Sequence, residues 1–424
     1  MVAVFMTLIM TRRLTAMTAL ILVPTVFALL LGFAGGLGEM VVDGVTNLAP
    51  TGVTLIFAIL FFGIMIDIGL FVPLVRWVLA AARGDPVRVM VGTAVLALLV
   101  SLDGDGATTY MITLSAMLPL YRALNLDKRK LACIVVLANG AMNVVPWAGP
   151  TVRVASVLNA DPRDVFLPLL IPTAAVALWV IFVAWYLGRA DRVRPLSASD
   201  VRLIDDTSSD TQAIELAPRT PIAPIRLFAN LALMIAVIIA LVTALLPTLA
   251  IFILGTALAL LLNFPNVETQ RTALASHGNN ALSVGGLIFA AGVFTGIMSG
   301  THMIDAMAAS VTRSIPEGLG SSLTLVTAVL SVPFTFFISN DAFYFGILPV
   351  LAKSAALYGI DPMAVGRASL IGQSVHLLSP LVASTYLLVG LAEVDFAAFQ
   401  RFTLRWALGS ATVFLIAAWA TGAI

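Results

Sequence analysis

The chain has 424 residues, of which 60% are hydrophobic and 11% are charged, and its mean hydropathy is +1.05. Soluble domains carry about 25% charged residues, so this composition excludes a water-soluble protein and indicates a polytopic membrane protein. The formal net charge of +1 and the lack of a basic, aromatic-rich patch exclude a nucleic-acid-binding function. Cys133 is the single cysteine, which excludes a disulfide within the chain and a cysteine-rich metal site.

Continuous apolar segments predict the spanning helices, since about 20 apolar residues cross a bilayer. Arg12 and Arg13 precede the first segment as in a signal peptide, but no clear cleavage site follows and further apolar segments do, so we expect a retained helix. Residues 1–10 are apolar but short. The predicted spans are 14–34, 53–75, 165–188, 227–246, 248–263, 279–299 and 396–422.

Three further apolar regions are interrupted by polar residues, glycine or proline. Residues 89–124 contain "SLDGDG", residues 131–160 contain "NGAMNVVPWAGP", and residues 319–391 contain "ISNDA", "YGIDP" and "HLLSP". Backbone that leaves a helix at membrane depth is tolerated only inside protein or beside a water-filled cavity. The interruptions therefore predict two helical hairpins and two broken helices that surround a binding site.

Basic residues indicate the orientation of the segments. If Arg12 and Arg13 are cytoplasmic, most of the 23 basic residues fall on that side, provided that both hairpins are re-entrant and open to opposite faces. The residues assigned to the cytoplasmic side are Arg12, Arg13, Arg76, Arg83, Arg88, Arg122, Lys128, Arg129, Lys130, Arg189, Arg192, Arg194, Arg202, Arg219, Arg226, Arg271, Arg401 and Arg405.

The two halves share an internal spacing. Four residues in each half recur at offsets of 12, 7 and 15, whereas the upstream match of Asp105 with Asp341 differs by two positions. The two sets are Asp127, Asn139, Pro146, Asp161 and Asp361, Gln373, Pro380, Asp395. Together with the charge distribution, this spacing predicts an inverted repeat, which is typical of secondary transporters whose binding site lies at the repeat interface.

The expected fold is therefore an all-α polytopic membrane protein with two re-entrant hairpins and two broken helices. A Pro- and Ser-containing polar stretch between the halves is expected to be a cytoplasmic linker. The expected units are N-terminal scaffold helices at 1–88, a first transport repeat at 89–188, the linker at 189–224, second-half scaffold helices at 225–313 and a second transport repeat at 314–424.

Four polar clusters, at the two hairpin tips and at the two helix breaks, are expected to converge on the substrate. Helix N-termini at hairpin tips present free N–H groups that suit an anion, and Gly104, Gly106 and Gly140 permit a close approach of the backbone. Candidate substrate-binding residues are Ser101, Thr108, Asn139, Asn143, Arg153, Ser339, Asn340, Gln373, Ser374 and Ser379. Candidate residues for metal or proton coupling are Asp103, Asp105, Asp341 and His376.

The aspartates would repel a bare polycarboxylate, so the site needs protons or a divalent cation carried with the anion. Carboxylate, amide and hydroxyl oxygens are suited to Mg²⁺ or Ca²⁺. The alternative is that Asp103, Asp105 and Asp341 only cap helices. Arg153 can bind a ligand carboxylate or pair with an aspartate, and His376 can carry a proton or pack.

Long motifs in these segments resemble one transporter family. The motifs are "FAILFFGIMIDIGLF", "GTAVLALLVSLDGDGATTYMITLSAMLPLYRAL", "LANGAMNVVPWAGPTVRVASVL" and "SNDAFYFGILPVLAKSAALYGIDP". They resemble the citrate–Mg²⁺:H⁺ and citrate–Ca²⁺:H⁺ symporters of the ion transporter superfamily.

The resemblance implies proton-coupled uptake of citrate with a divalent cation as co-substrate and no permanently bound cofactor. It also implies a scaffold that often dimerises and a transport domain that moves as an elevator, in a bacterial cytoplasmic membrane. Na⁺-coupled relatives have neutral tips where this chain has Asp103, Asp105 and Asp341.

Three alternative functions have different requirements. Na⁺-coupled uptake of an uncomplexed di- or tricarboxylate requires that the aspartates bind Na⁺. An intramembrane aspartyl protease fits poorly because Leu102, Asp103 and Gly104 precede Asp105 in place of the Gly-x-Gly-Asp signature. A passive channel would conduct without dependence on a proton gradient.

Overall fold

The structure is a computed structural model that describes residues 1–11, 13–82, 85–104, 106–191, 224–243, 245–314 and 322–424. Within these ranges every regular element is helical, as the sequence predicts. Among the described residues, six helices are long and apolar enough to cross a bilayer. Most of the predicted linker, residues 192–223, and Asp105 lie outside the described residues.

The first half begins with four helices and continues with a hairpin and a broken helix. The helices are α1 (Val2–Met10), α2 (Ala16–Leu30), α3 (Leu37–Asp67), α4 (Val72–Ala82), α5 (Pro86–Val100), α6 (Gly106–Ala123), α7 (Lys128–Met142), α8 (Gly149–Leu158), α9 (Pro162–Phe166) and α10 (Leu170–Asp191). We call α5 and α6 hairpin 1, and α7 and α8 the first broken helix.

The second half has the same succession of elements. Its helices are α11 (Pro224–Val242), α12 (Thr248–Asn263), α13 (Val267–Gly300), α14 (Met303–Ser314), α15 (Leu323–Phe337), a π-helical turn (Ala342–Ile347), α16 (Leu348–Leu357), α17 (Pro362–Ser369), α18 (Gln373–His376), α19 (Ala383–Ala392) and α20 (Phe396–Ala420). Hairpin 2 comprises α15, the π-helical turn and α16. The second broken helix comprises α17, α18 and α19.

The predicted span at 53–75 is wrong at both ends. Helix α3 starts at Leu37 and ends at Asp67, and a turn at Gly69, with φ of 69°, separates it from α4. Hydropathy missed its first turns because they contain Glu39 and Asp43. A helix is set by its backbone hydrogen bonds and its packing, so it continues past the end of an apolar segment.

Glycines allow α3 and α13 to cross in backbone contact. A Cβ built on Gly44 would lie 2.1 Å from the Gly292 carbonyl oxygen, and one on Gly296 would lie 2.1 Å from the Met40 carbonyl oxygen. Small residues of this kind permit the closest helix packing in membranes. The two longest helices therefore form one unit.

The repeat predicted from sequence spacing recurs in the helix boundaries. Asp127 and Asp361 cap α7 and α17 by accepting the N–H groups of Arg129 and Met363, each at 2.9 Å. Helices α8 (149–158) and α19 (383–392) have the same length and start 234 positions apart. The same offset of 234 positions separates Asp127 from Asp361. The segments 128–142 and 362–376 obey the same offset.

The two hairpin tips have different local structure around the sequence match of Asp105 with Asp341. Residues 101–103 form a 3-10 helical turn directly after α5, whereas residues 338–339 separate α15 from the next helical residue, Asn340. At the 234-residue offset Asp341 corresponds to Ala107, and Asp105 corresponds to Ser339. The two tips therefore place their carboxylates at different positions.

Buried side chains form three clusters. The largest draws its members from residues 75–187 and 323–423, which hold both hairpins and both broken helices. The other two draw mainly on α1–α3 and α11–α13, and one of them includes Val152 and Phe345. Trp147 packs against all three clusters.

Polar contacts tie helix ends together in two separate groups. In the first group Arg122 and Lys128 pair with Glu393, and Lys130 pairs with Asp191 at 2.7 Å. In the second group Thr248 donates a hydrogen bond to Asp161, Lys353 pairs with Asp305, and Arg367 donates to the Ala423 carbonyl oxygen. Each broken helix starts in one group and ends in the other.

Candidate functional site

The breaks of the two broken helices lie against each other. Gly140 makes this possible, because a Cβ built there would lie 3.6 Å from the Gln373 carbonyl oxygen and 3.7 Å from the Ser374 Cα. Asn143 Nδ2 donates to Gln373 Oε1 at 3.0 Å. The structure therefore brings together two interruptions that are far apart in sequence.

The tip of hairpin 2 joins the same network. Asn340 Nδ2 donates to Gln373 Oε1 at 3.4 Å, and Gln373 Nε2 donates to Asn340 Oδ1 at 3.0 Å. Gln373 Nε2 also donates to the Tyr344 hydroxyl at 2.9 Å. Gln373 is fully buried, so these bonds satisfy an amide that would otherwise be costly to bury.

The tip of hairpin 1 meets the first break. Gly104 has a φ of 79°, a conformation that favours glycine, and the Trp147 indole N–H donates to the Leu102 carbonyl oxygen at 2.6 Å. Thr109 donates to the buried Ser101 hydroxyl at 3.2 Å. Asp103 lies half-buried at this tip.

Asn139 links hairpin 1 to the first broken helix. Its Nδ2 donates to the Tyr110 hydroxyl at 2.9 Å. A Cβ on Gly106 would lie 2.7 Å from the same Nδ2 and 3.3 Å from the Ser384 hydroxyl. Gly106 therefore leaves room for side chains of both broken helices at the start of α6.

Arg153 and Asp341 form an ion pair between the halves. Arg153 Nε lies 2.7 Å from Asp341 Oδ1, and the two side chains are 17% and 19% exposed. Arg153 belongs to α8 and Asp341 to the tip of hairpin 2. Of the two roles open from the sequence, the structure has Arg153 pair with an aspartate.

Three predicted residues of the second break are engaged with backbone or neighbouring helix. His376 Nδ1 lies 2.6 Å from the Thr335 carbonyl oxygen and therefore donates to it. Ser379 is buried and accepts the Leu381 N–H at 3.2 Å. Ser374 is buried beside Gly140. Ser339 is similarly used at the hairpin 2 tip, where it accepts the Ala342 N–H at 3.2 Å.

Four residues of this region were not predicted from the sequence, namely Tyr110, Tyr344, Trp147 and Ser384. The two tyrosines lie 234 positions apart, which is the offset between Asn139 and Gln373, so the repeat spacing contains the signal that identifies them. The hydroxyl of Thr108 lies in the first turn of α6, where the sequence predicted it.

The described residues contain no group of three or more His, Cys, Asp or Glu side chains that could hold a metal ion. Asp103, Asn139 and Asn143 carry oxygen atoms at hairpin 1 and at the first broken helix, and such hard donors suit Mg²⁺ or Ca²⁺.

Comparisons with known proteins agree with the motif resemblance. A sequence model of the family described as citrate transporter matches residues 2–372. A citrate transporter from Bacillus subtilis (strain 168) is 52% identical over 424 residues, covering 100% of this chain and 98% of that protein. The Mg(2+)/citrate complex secondary transporter of the same organism is 45% identical, covering 100% and 97%.

Two solved structures share the fold at low sequence identity. Neisseria gonorrhoeae MtrF, described within a class of antimetabolite efflux pumps, has a TM-score of 0.64 at 16% identity, over 92% of this chain and 84% of that chain. The Alcanivorax borkumensis YdaH transporter has a TM-score of 0.59 at 16% identity, over 91% and 88%.

The apolar helices, together with the family model and the curated relatives, define an integral membrane transporter. The chain belongs to the citrate transporter family, whose proteins are transporters and not enzymes.

Proposed function

We propose that the protein imports citrate as a complex with Mg²⁺ or Ca²⁺, coupled to protons. Family membership and a relative named for Mg²⁺/citrate support the cargo. The acidic tip of hairpin 1 supports the presence of a cation in the cargo, because carboxylates beside a citrate trianion need positive charge between them. The protein acts in a bacterial cytoplasmic membrane, as a homodimer.

One observation carries the proposal. Gln373 accepts a hydrogen bond from Asn143 of the first break and exchanges two with Asn340 of hairpin 2. Three of the four predicted polar clusters thus meet at one buried amide, and the fourth, hairpin 1, contacts the first break through Asn139 and Trp147.

The proposed substrate contacts come from amides, hydroxyls and Arg153, with Asp103, Asp105 and Asp341 on the cation or proton. We assign Ser339, Ser379 and His376 to local structure, because each forms a hydrogen bond with a backbone group. The proposed role of Asp105 on the cation or proton rests on the sequence alone, because Asp105 lies outside the described residues.

The proposed mechanism is an elevator built on an inverted repeat. The two groups of end contacts support the inversion: α7 starts beside the end of α19, through Lys128 and Glu393, and α17 starts where α8 ends, since a Cβ on Gly366 would lie 2.5 Å from Leu158. The separate buried clusters support a scaffold and a transport unit, although Val75 and Val78 of the predicted scaffold belong to the largest cluster.

Uptake of labelled citrate into proteoliposomes tests the function. We expect uptake to require a divalent cation, to stop in chelator, and to increase with an inwardly directed proton gradient. Undiminished uptake in chelator would exclude the complex as cargo. A Na⁺ gradient that drives this uptake in chelator would instead establish a Na⁺-coupled carboxylate symporter, and flux far above carrier rates without gradient dependence would establish a channel.

A further inference from the structure

The Arg153–Asp341 ion pair joins two parts of the molecule that both contribute to the proposed site. Arg153 lies on α8 of the first broken helix, and Asp341 follows Asn340, which is bonded to the central amide of Gln373. The atoms are 2.7 Å apart, and each side chain is less than one-fifth exposed. In this structure each charge is therefore compensated by the other.

Separating one partner of such a pair without replacing its charge is unfavourable. A buried charge whose counter-ion is removed stays desolvated without compensation, and this costs far more than the pair contributes when intact. A ligand that engages one member must therefore supply a charge for the other member as well. The requirement concerns charge, and it holds whichever ligand enters.

A metal–citrate complex meets this requirement, whereas each of its components alone does not. Free citrate could bind Arg153 through a carboxylate, but Asp341 would then remain as an uncompensated anion beside a polyanion. A free divalent cation could bind Asp341, but Arg153 would then remain as an uncompensated positive charge beside that cation. The complex presents a carboxylate to Arg153 and a cation to Asp341, so both charges exchange partners together.

We infer that the Arg153–Asp341 pair is the element that selects metal-complexed over free citrate, with Asp341 acting as the internal competitor for Arg153. This inference rests on the proposed function, since it explains why that carrier would reject the uncomplexed anion. It assigns selectivity to one ion pair rather than to the whole acidic site.

Neutralising Asp341 removes the competitor and leaves Arg153 in place. In Asp341→Asn, free citrate can engage Arg153 without creating an uncompensated carboxylate. The wild-type protein is expected to bind citrate at least about tenfold more tightly with Mg²⁺ than in chelator, because breaking a partly buried pair costs less than breaking a fully buried one. In the variant this ratio is expected to fall at least about tenfold, through tighter binding of free citrate.

Binding of labelled citrate to the purified full chain, by equilibrium dialysis with Mg²⁺ or with EDTA, measures the ratio without requiring transport. Asp305→Asn is the matched control, because Asp305 also pairs with a basic residue, Lys353, at 3.0 Å but outside the site. Asp341→Ser is a second neutral variant in case the first does not fold. Asp341→Glu retains the charge and should retain the ratio.

Two results would overturn the inference. One is a neutral, folded variant that keeps the wild-type ratio. The other is a neutral, folded variant that binds citrate under neither condition, because removal of a competitor for Arg153 must strengthen the binding of free citrate. A wild-type protein that binds citrate equally with Mg²⁺ and EDTA would instead refute the proposed cargo, so the two failures are distinguishable.

Discussion

The Tyr110 hydroxyl accepts a hydrogen bond from Asn139 Nδ2 at 2.9 Å, and this bond has a counterpart in the other half of the chain. There, 234 positions later, the Tyr344 hydroxyl accepts from Gln373 Nε2, also at 2.9 Å. All four side chains are buried. The repeat thus extends from helix lengths to individual hydrogen bonds between a hairpin and its own broken helix.

Tyr110→Phe and Tyr344→Phe are each expected to destabilise the protein, because each leaves a buried amide N–H without its acceptor. The expected loss in the free energy of unfolding is about 1–3 kcal/mol. Thermal unfolding in detergent measures it as a lower Tm. Tyr186→Phe is the control, since Tyr186 is half-exposed on α10, and an equal loss there would show that the buried hydroxyls have no special role.

Two glycines of α13 are expected to respond to alanine in opposite directions. Gly296→Ala inserts a methyl group 2.1 Å from the Met40 carbonyl oxygen, so α3 and α13 must separate, at a cost typical of overpacking of about 1–3 kcal/mol. Gly278→Ala meets no atom within 4 Å and is expected to raise stability, by the helix propensity of alanine, by about 0.5–1 kcal/mol. Tm values of both variants provide the measurement, and equal Tm values would contradict the tight crossing.

Residues of the two end-contact groups are expected to label from opposite faces of the membrane. In a Cys133→Ala background, Lys128→Cys and Lys353→Cys should react with a membrane-impermeant thiol reagent from different sides. Asp191→Cys is the matched control, because Asp191 belongs to the same group as Lys128 through Lys130 and should label with it. Labelling of Lys128→Cys and Lys353→Cys from one side would rule out the inverted repeat.

The contact of Glu393 with Lys128 and Arg122 is expected to weaken in acid. The hydrogen bond from Lys128, followed by the charge of Arg122, lowers the pKa of the Glu393 carboxyl below its ordinary value. Because the folded-state pKa is depressed, the stabilisation is present above the unfolded-state pKa and is lost as the pH falls through the folded-state pKa.

Glu393→Gln should therefore lower Tm slightly at neutral pH, and the difference from wild type should shrink as the pH falls through the depressed folded-state pKa of Glu393. Thermal unfolding across this pH range measures it. A difference that persists unchanged in acid would show that the carboxylate charge is not its source.

Asp103→Asn and Asp105→Asn are expected to lose at least about tenfold in metal-dependent citrate uptake, because a neutral amide is a poorer cation ligand than a carboxylate. Uptake into proteoliposomes at several Mg²⁺ concentrations measures the loss. Asp164→Asn, an exposed change on α9, is the control. Normal uptake in both variants would remove these acids from the mechanism.

The sequence predicted the helix breaks better than the spans. The interruptions "NGAMNVVPWAGP" and "HLLSP" identified both breaks, because backbone that leaves a helix at membrane depth must be buried in protein or line a wet cavity. The start of α3 at Leu37 was missed because hydropathy records lipid contact and not helix continuation. Tyr110 and Tyr344 were missed because a tyrosine within an apolar run is equally typical of packing.

The partner of Arg153 could not be read from spacing. Asp341 lies 188 residues further along the chain, and only tertiary structure decides which of several acids an arginine meets.

Trp147 is hydrogen-bonded to one part of the molecule and packs its ring against another. Its indole N–H donates to the Leu102 carbonyl of hairpin 1, while its ring lies 5.1 Å from that of Phe62 on α3 and 5.5 Å from that of Phe252 on α12. If the proposed elevator operates, separation of these rings would place the indole in more polar surroundings, which shifts its emission to longer wavelength. Trp147 is thus a native fluorophore between hairpin 1 and helices α3 and α12, and a variant that retains this tryptophan alone would report optically a movement between them.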